Sequence, residues 1–323
     1  MISYNELTAL LSEAAGEGSQ ASAHNQNYAD AYEILTALHV HHMSGSKHNP
    51  DKAHANRMHE LGKKGQEAFD KLPDHLKERA LGAAKKSADA YLGSLEKNHG
   101  IKPKDIHEVH HTNKGIGHLL GYHVPQNKAP HDVVIKTKKG ELHGASLKAT
   151  SGTASNNTPE AAVPGLNTHY TAHAKKAGLE GKTKAERKEL VKADPKYAAK
   201  AKEATVAAAA MHHEHFNKLS HKDQLSHVHH MMRYNDKPDI PLDYVNGQKG
   251  KSIPYHELHH IKLANTAKKF SMEHNKDSNM VKVYAHDAKG EKHHLITVEH
   301  RYTHGPFNAP QANAKFSAHK DEE

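Results

Sequence analysis

Residues 130–148, PHDVVIKTKKGELHGASLK, decide how the chain is read. Val133, Val134 and Ile135 form an apolar run, Lys138-Lys139-Gly140 supplies turn chemistry, and Leu142 to Thr150 alternates apolar with polar side chains. That pattern predicts a β-hairpin. With the turn centred on Lys139, residue numbers across the ladder sum to 278. Asp132 is therefore expected opposite Ser146, and Lys148, two residues on, shares the face of Ser146. A slip of one residue would undo this pairing.

Around the hairpin the period changes. Ser3 to Lys71 is helical, with Leu7, Leu10, Leu11 and Ala14 on one face and Tyr28, Ala31, Leu35 and Leu38 on another, separated by a polar stretch from Gly16 to Gln26. Pro73 to Asn98 repeats apolar residues at threes and fours, and Gly100 supplies a stop. Ile106 to Thr112 alternates like a short strand, whereas Ser151 to Asn157 reads as a loop ahead of Glu160 and Pro164-Gly165. Lys182 to Tyr234 is helical and broken near Pro195, the Pro-containing Asp236 to Pro254 reads as a loop, and Tyr255 to Phe270 as a helix. Met280 to His286 and His293 to Thr303 form a second hairpin. Element order gives a mixed α/β architecture. The expected divisions are a helical N-terminal region (1–72), a core (73–180), a helical insertion (181–235), and a segment (236–323) whose hairpin extends the core sheet.

Composition narrows the chemistry. The chain has 323 residues, no Cys and no Trp, so disulfide frameworks, thiolate metal sites and Cys nucleophiles are excluded. Lys and Arg number 45 against 37 Asp and Glu, a formal charge of +8, which favours a polyanionic partner, although a Lys-rich solvated surface produces the same balance. No secretory leader pattern and no run of about 18 apolar residues is visible, so no membrane partner and a reducing, cytoplasmic setting are expected. The 35 His imply a steep gain of positive charge, and tighter phosphate binding, on mild acidification.

Asp132 and Lys148 are the candidate chemistry-bearing pair. Phosphodiester hydrolysis needs a carboxylate-held divalent cation to polarise phosphate and activate water, and gains from an amine that steadies the nucleophile or the developing charge. On these residues the chain resembles the PD-(D/E)xK nuclease superfamily. Pro130-His131-Asp132 stands where that family has Pro-Asp, and Ser146-Leu147-Lys148 where it has Glu-x-Lys, with the helix and strand before them in the family's order. The usual Glu is replaced by Ser146, and His131 is inserted. Some restriction enzymes of the superfamily have Ser-x-Lys with an acid from the following helix; the resemblance therefore implies Glu160 as the second acid, with Asp89 or Glu96 as further ligands. Gly144 to Thr150 with Pro164-Gly165, and Arg301 to Pro306, are similar to a group of predicted phage endonucleases.

The resemblance covers about a third of the chain, Pro73 to Gly165. It implies a restriction-endonuclease-like core, a mixed sheet flanked by helices, with Asp132 and Glu160 as ligands of Mg²⁺ or Mn²⁺, Ser146 as a weak or water-mediated partner, Lys148 as the residue that orients the water or stabilises charge, and DNA as substrate. The setting would be a host cytoplasm or a virion. The alternative is a nucleic-acid-binding structural or virion-associated protein that keeps the fold without the chemistry. Oligomeric state stays open, a homodimer among the options.

Two other metal readings compete. His107-Glu108-Val109-His110-His111 and His256-Glu257-Leu258-His259-His260 both match the His-Glu-x-x-His spacing that grips zinc on a helix. The first lies in a strand-like segment, where His107 and His111 are too far apart for one ion. The second lacks a nearby third ligand. The clusters His212/His213/His215 and His227/His229/His230 read first as polar positions on amphipathic helices, with transition-metal binding as the alternative.

Overall fold

The computed structural model describes residues 21–44, 62–112, 117–122, 130–148, 153–157, 159–232, 240–303 and 305–316. They divide into two compact units, one built from the chain up to Ser151 and from Lys237–Leu258, the other from Gly152–Asp236 and His259–His319.

The first unit begins with α1 (Ala21–Met43), which buries Ala31, Tyr32, Leu35, Ala37 and Val40 along one stripe. The earlier helix expected near Leu7 to Ala14 lies outside the described residues. After a helical segment over 62–70 comes α2 (Asp74–His99), which places Ala80, Ala84, Ala88, Tyr91 and Leu95 in the core. It stops at Gly100, whose φ of 69° is the left-handed cap a side chain disfavours. Strands β1 (Ile106–His111), β2 (Val133–Thr137) and β3 (Leu142–Lys148) follow, joined antiparallel. The β2–β3 register is Val133↔Ala145 through Lys136↔Leu142, so every pair sums to 278 as the hairpin pattern requires.

The same sheet is completed by β5 (Leu242–Asn246) and β6 (Lys251–Pro254), in the order β1-β2-β3-β5-β6. Strand β5 runs parallel to β3, and β6 antiparallel to β5. The expected loop from Asp236 to Pro254 thus contains two strands. Helices α1 and α2 share one core with Val109, Val133, Ile135, Ala145, Leu147 and Val245, while Val134 and Ile240 pack on the other face with Leu119, Leu120 and Leu142. A buried acid ties the layers together. The Asp243 carboxylate accepts from Ser94 on α2, from the Ser252 hydroxyl at 2.9 Å, and lies 3.1 Å from His99 Nε2.

The second unit carries a separate antiparallel sheet, ordered β4-β10-β9-β8-β7, from β4 (Thr153–Asn157), β7 (Lys269–His274), β8 (Met280–His286), β9 (Lys292–Thr303) and β10 (Ala309–Phe316). The hairpin β8–β9 forms where expected, but it belongs to this sheet and does not extend the first one; the expected loop 151–157 contributes its edge strand β4. The reason is pairing partners: β10, at the end of the described chain, bridges β9 to β4. The longer helices are α3 (Leu166–Lys176), α4 (Lys184–Ala193), α5 (Lys196–Lys218), α6 (His221–Met231) and α7 (His259–Thr266), with a single helical turn at Pro159–Ala162 before them. Helix α5 packs on β7, β8 and β9, burying Ala201, Ala204, Ala208 and Ala209, whose small side chains permit close approach. The described residues form an α/β protein with two sheets. Among the described residues no helix is long and apolar enough to cross a membrane.

Candidate active site

Asp132 stands at the entry of β2. Its amide donates to Ala145 O (2.8 Å) and its carbonyl accepts from Thr112 N (3.1 Å), so the backbone is held on both sides by sheet bonds. The side chain turns towards β3: Oδ2 accepts from Leu147 N at 2.6 Å and lies 3.8 Å from Lys148 Nζ. Both side chains keep 24% of their surface exposed, enough for a ligand to reach them. The expected acid and amine therefore meet as an ion pair where β2 begins and β3 ends.

The second carboxylate is one that the sequence pattern did not single out. Glu33, on α1, sits close enough to Asp132 to act on it electrostatically, and its Oε2 lies 3.3 Å from His111 Nε2. His111 closes the end of β1, and its Nδ1 is buried with no hydrogen-bond partner. Enclosure raises the Asp132 carboxyl to about 6; Lys148 opposes the shift and the like charge of Glu33 adds to it. Two acids that act on each other, one of them paired with an amine, supply carboxylate oxygens of the kind that a hard divalent cation takes.

Lys148 is anchored through its backbone. Its carbonyl accepts from Gly247 N (2.8 Å) and from Tyr32 OH (3.4 Å), and that hydroxyl is 2.7 Å from Ser87 Oγ. A Cβ at Gly247 would lie 2.6 Å from Tyr32 OH and 2.7 Å from Ser87 Oγ, so only glycine lets the chain pass. Tyr32 and Glu33 are consecutive on α1, so this lock also fixes where Glu33 sits.

Other expected residues are placed differently. Ser146 is buried in β3 beside Tyr244 of β5 and brings no charge. Glu160 belongs to the second unit, where its carboxylate accepts from Gly165 N (2.7 Å) and Asn167 N (3.0 Å) at the start of α3. That is the work of a helix-capping acid. Asp89 and Glu96 lie on the exposed face of α2, and Asp89 acts on His39. The inserted His131 is buried, with Nε2 3.4 Å from Ile240 O, and its ring fills the space that a side chain on Gly144 would need.

Neither His-Glu-x-x-His stretch forms a zinc helix. The first is strand β1, as expected. The second is a 3-10 turn, Tyr255–Glu257, then an extended Leu258, with α7 starting only at His259. Among the described residues, the one trio of potential ligands already within 4.8 Å of one another is Asp287, Glu291 and His293, at the exposed β8–β9 turn. Nor do all histidines add charge on mild acidification. Burial holds His39, His131, His227 and His300 down to about 4, so these rings stay neutral. Comparison with known protein families, curated proteins and solved structures finds no match.

Proposed function

We propose that the first unit is a metal-dependent phosphodiesterase that cuts DNA internally, with Mg²⁺ or Mn²⁺ as cofactor. The observation that carries this reading is the Asp132–Lys148 pair, 3.8 Å apart at the entry of β2 and on β3, with a second acid, Glu33, close enough to act on Asp132. Asp132 and Glu33 would hold the cation, which when bound polarises the phosphate and lowers the pKa of a water. Lys148 supplies a fixed positive charge against the phosphate oxygens as negative charge builds on them. The Tyr32, Ser87 and Gly247 contacts hold the Lys148 backbone still, so its amine does not have to be ordered during the reaction. The net positive charge of the chain supports a polyanionic substrate.

One observation favours a second reading. Ser146, where the resemblance calls for Glu, is buried and uncharged, which suits a nucleic-acid-binding protein without chemistry. A plasmid-nicking assay with Mg²⁺ or Mn²⁺ separates the two. Asp132→Asn, Lys148→Ala and Glu33→Gln are expected to lower the rate by about a hundredfold or more. Glu160→Gln, whose acid caps a helix, should leave it near wild type. DNA binding with no metal-dependent nicking by the wild type would refute the enzyme and favour the second reading.

A further inference from the structure

Histidines that are neighbours in sequence are not the ones that meet in space. Helix α5 carries His212, His213 and His215, and α6 carries His227, His229 and His230. The second unit takes one ring from each helix and adds a third from β9. His212 Nε2 lies 2.8 Å from His227 Nε2, and His212 Nδ1 lies 3.0 Å from His300 Nε2. His212 and His300 are fully buried. The neighbours are engaged elsewhere: His229 Nε2 bonds Asn265 Oδ1 at 2.7 Å, and His213 packs by its ring near His274.

The charged or titratable groups acting on His212 are His213, His215, His227 and His300; those acting on His227 are His215 and His230; those acting on His300 are His169 and His274. No carboxylate is among them. Burial therefore keeps the row neutral at pH 7, which is the form of imidazole that binds metal. The ring-centre spacing also fits, and the two Nε2 atoms, now 2.8 Å apart across a hydrogen bond, need to open only by about 0.6 Å to share an ion. Two imidazoles on one tetrahedral ion, with bonds of about 2.1 Å, have ring centres roughly 5 Å apart. The His212 and His227 centres are 5.1 Å apart, with the rings at 64°.

We propose that His212 and His227 form a buried transition-metal site for an ion of the Zn²⁺, Co²⁺ or Ni²⁺ class, with His215 as third ligand and His300 as the residue that fixes the His212 tautomer. His215 is three positions from His212 on the same helix face, half-buried, with its ring centre 6.4 Å from that of His227. A side-chain rotation brings it in, and water completes the shell. His212 Nδ1 and His300 Nε2 are 3.0 Å apart; in the proposed site the His212 Nδ1–H donates to His300 Nε2, which leaves the His212 Nε2 lone pair for the ion, the outer-shell arrangement that orients metal-ligating imidazoles. His227 moves its proton from Nε2 to Nδ1. Every ligand enters and leaves neutral, so no proton is released. A set of nitrogens without carboxylate excludes Mg²⁺ and Ca²⁺.

The test uses the full-length protein, stripped of metal with EDTA and titrated with Co²⁺ at pH 7.5. One equivalent should bind with the strong visible absorption of four-coordinate cobalt, about a hundredfold tighter than the remaining histidines hold it. The band should vanish in His212→Gln and His227→Gln, weaken about tenfold in affinity in His215→Gln, and persist in His229→Gln and His293→Gln. The binding enthalpy should not depend on the buffer's ionisation heat. If circular dichroism shows His212→Gln unfolded, the half-buried His227→Gln decides the matter. A band that survives His227→Gln, or a wild type that binds only weakly and six-coordinately, would overturn the site.

Discussion

Lowering the pH from 7 to 5 should loosen the second unit by a calculable amount. His227 and His300 are held at about 4 by burial, against an ordinary 6.5. Because the folded values are depressed, the open chain binds more protons than the fold between pH 6.5 and 4. Stability is therefore complete above about pH 6.5 and falls as the pH drops towards 4. At pH 5 each ring has about 1.5 pH units of this deficit, or about 2 kcal/mol at 1.36 kcal/mol per unit, so the two together remove about 4 kcal/mol. His212, shifted down in the same direction, adds to the loss, and among the described residues the groups acting on it are all histidines. A typical domain has only about 5–15 kcal/mol to lose. Urea unfolding at pH 7.5 and pH 5.0, followed by hydrogen exchange in α5 and β9, measures the change for this unit. His300→Gln should flatten the pH dependence by about 2 kcal/mol. A second unit whose stability differs by less than about 1 kcal/mol between the two pH values would refute the reasoning.

Other outcomes follow from the first unit. Asp132→Asn should raise stability at pH 7.5 by about 1 kcal/mol, discounted for the part of the carboxyl that solvent screens, because the folded carboxyl is held above its open-chain value and its charge is disfavoured above about pH 6. The gain should shrink at pH 5, as thermal melts at both pH values would show. Gly144→Ala should cost about 1–3 kcal/mol by driving a methyl into the His131 ring, whereas Gly82→Ala, on the open face of α2, should add about 0.5–1 kcal/mol; equal effects in urea melts would contradict the packing. Asp243→Ala should cost about 3 kcal/mol, since it strands the hydroxyls of Ser94 and Ser252 and the His99 ring. A near-neutral result would mean that these groups find other partners.

What the amino-acid pattern determined by itself was local. Helix α2 and its stop at Gly100, and the β2–β3 hairpin with its 278 register, follow from turn chemistry and side-chain period over a few residues. That register was enough to bring Asp132 to Lys148. Tertiary structure decided the rest, because the deciding partners are far away in the chain. Strand β5 hides among prolines and glycines and carries an acid at its second position; it is a strand because β3 offers a ladder and Ser94, Ser252 and His99 satisfy Asp243. Glu33 is one polar residue on a long helix until Tyr32 beside it docks on the carbonyl of Lys148. Glu160, close to Lys148 in sequence, spends its oxygens on the backbone amides of α3. The histidine row joins residues 88 positions apart, from His212 to His300. Periodicity reports which face of an element is apolar, but only the packed chain selects which distant polar groups must meet to escape burial alone.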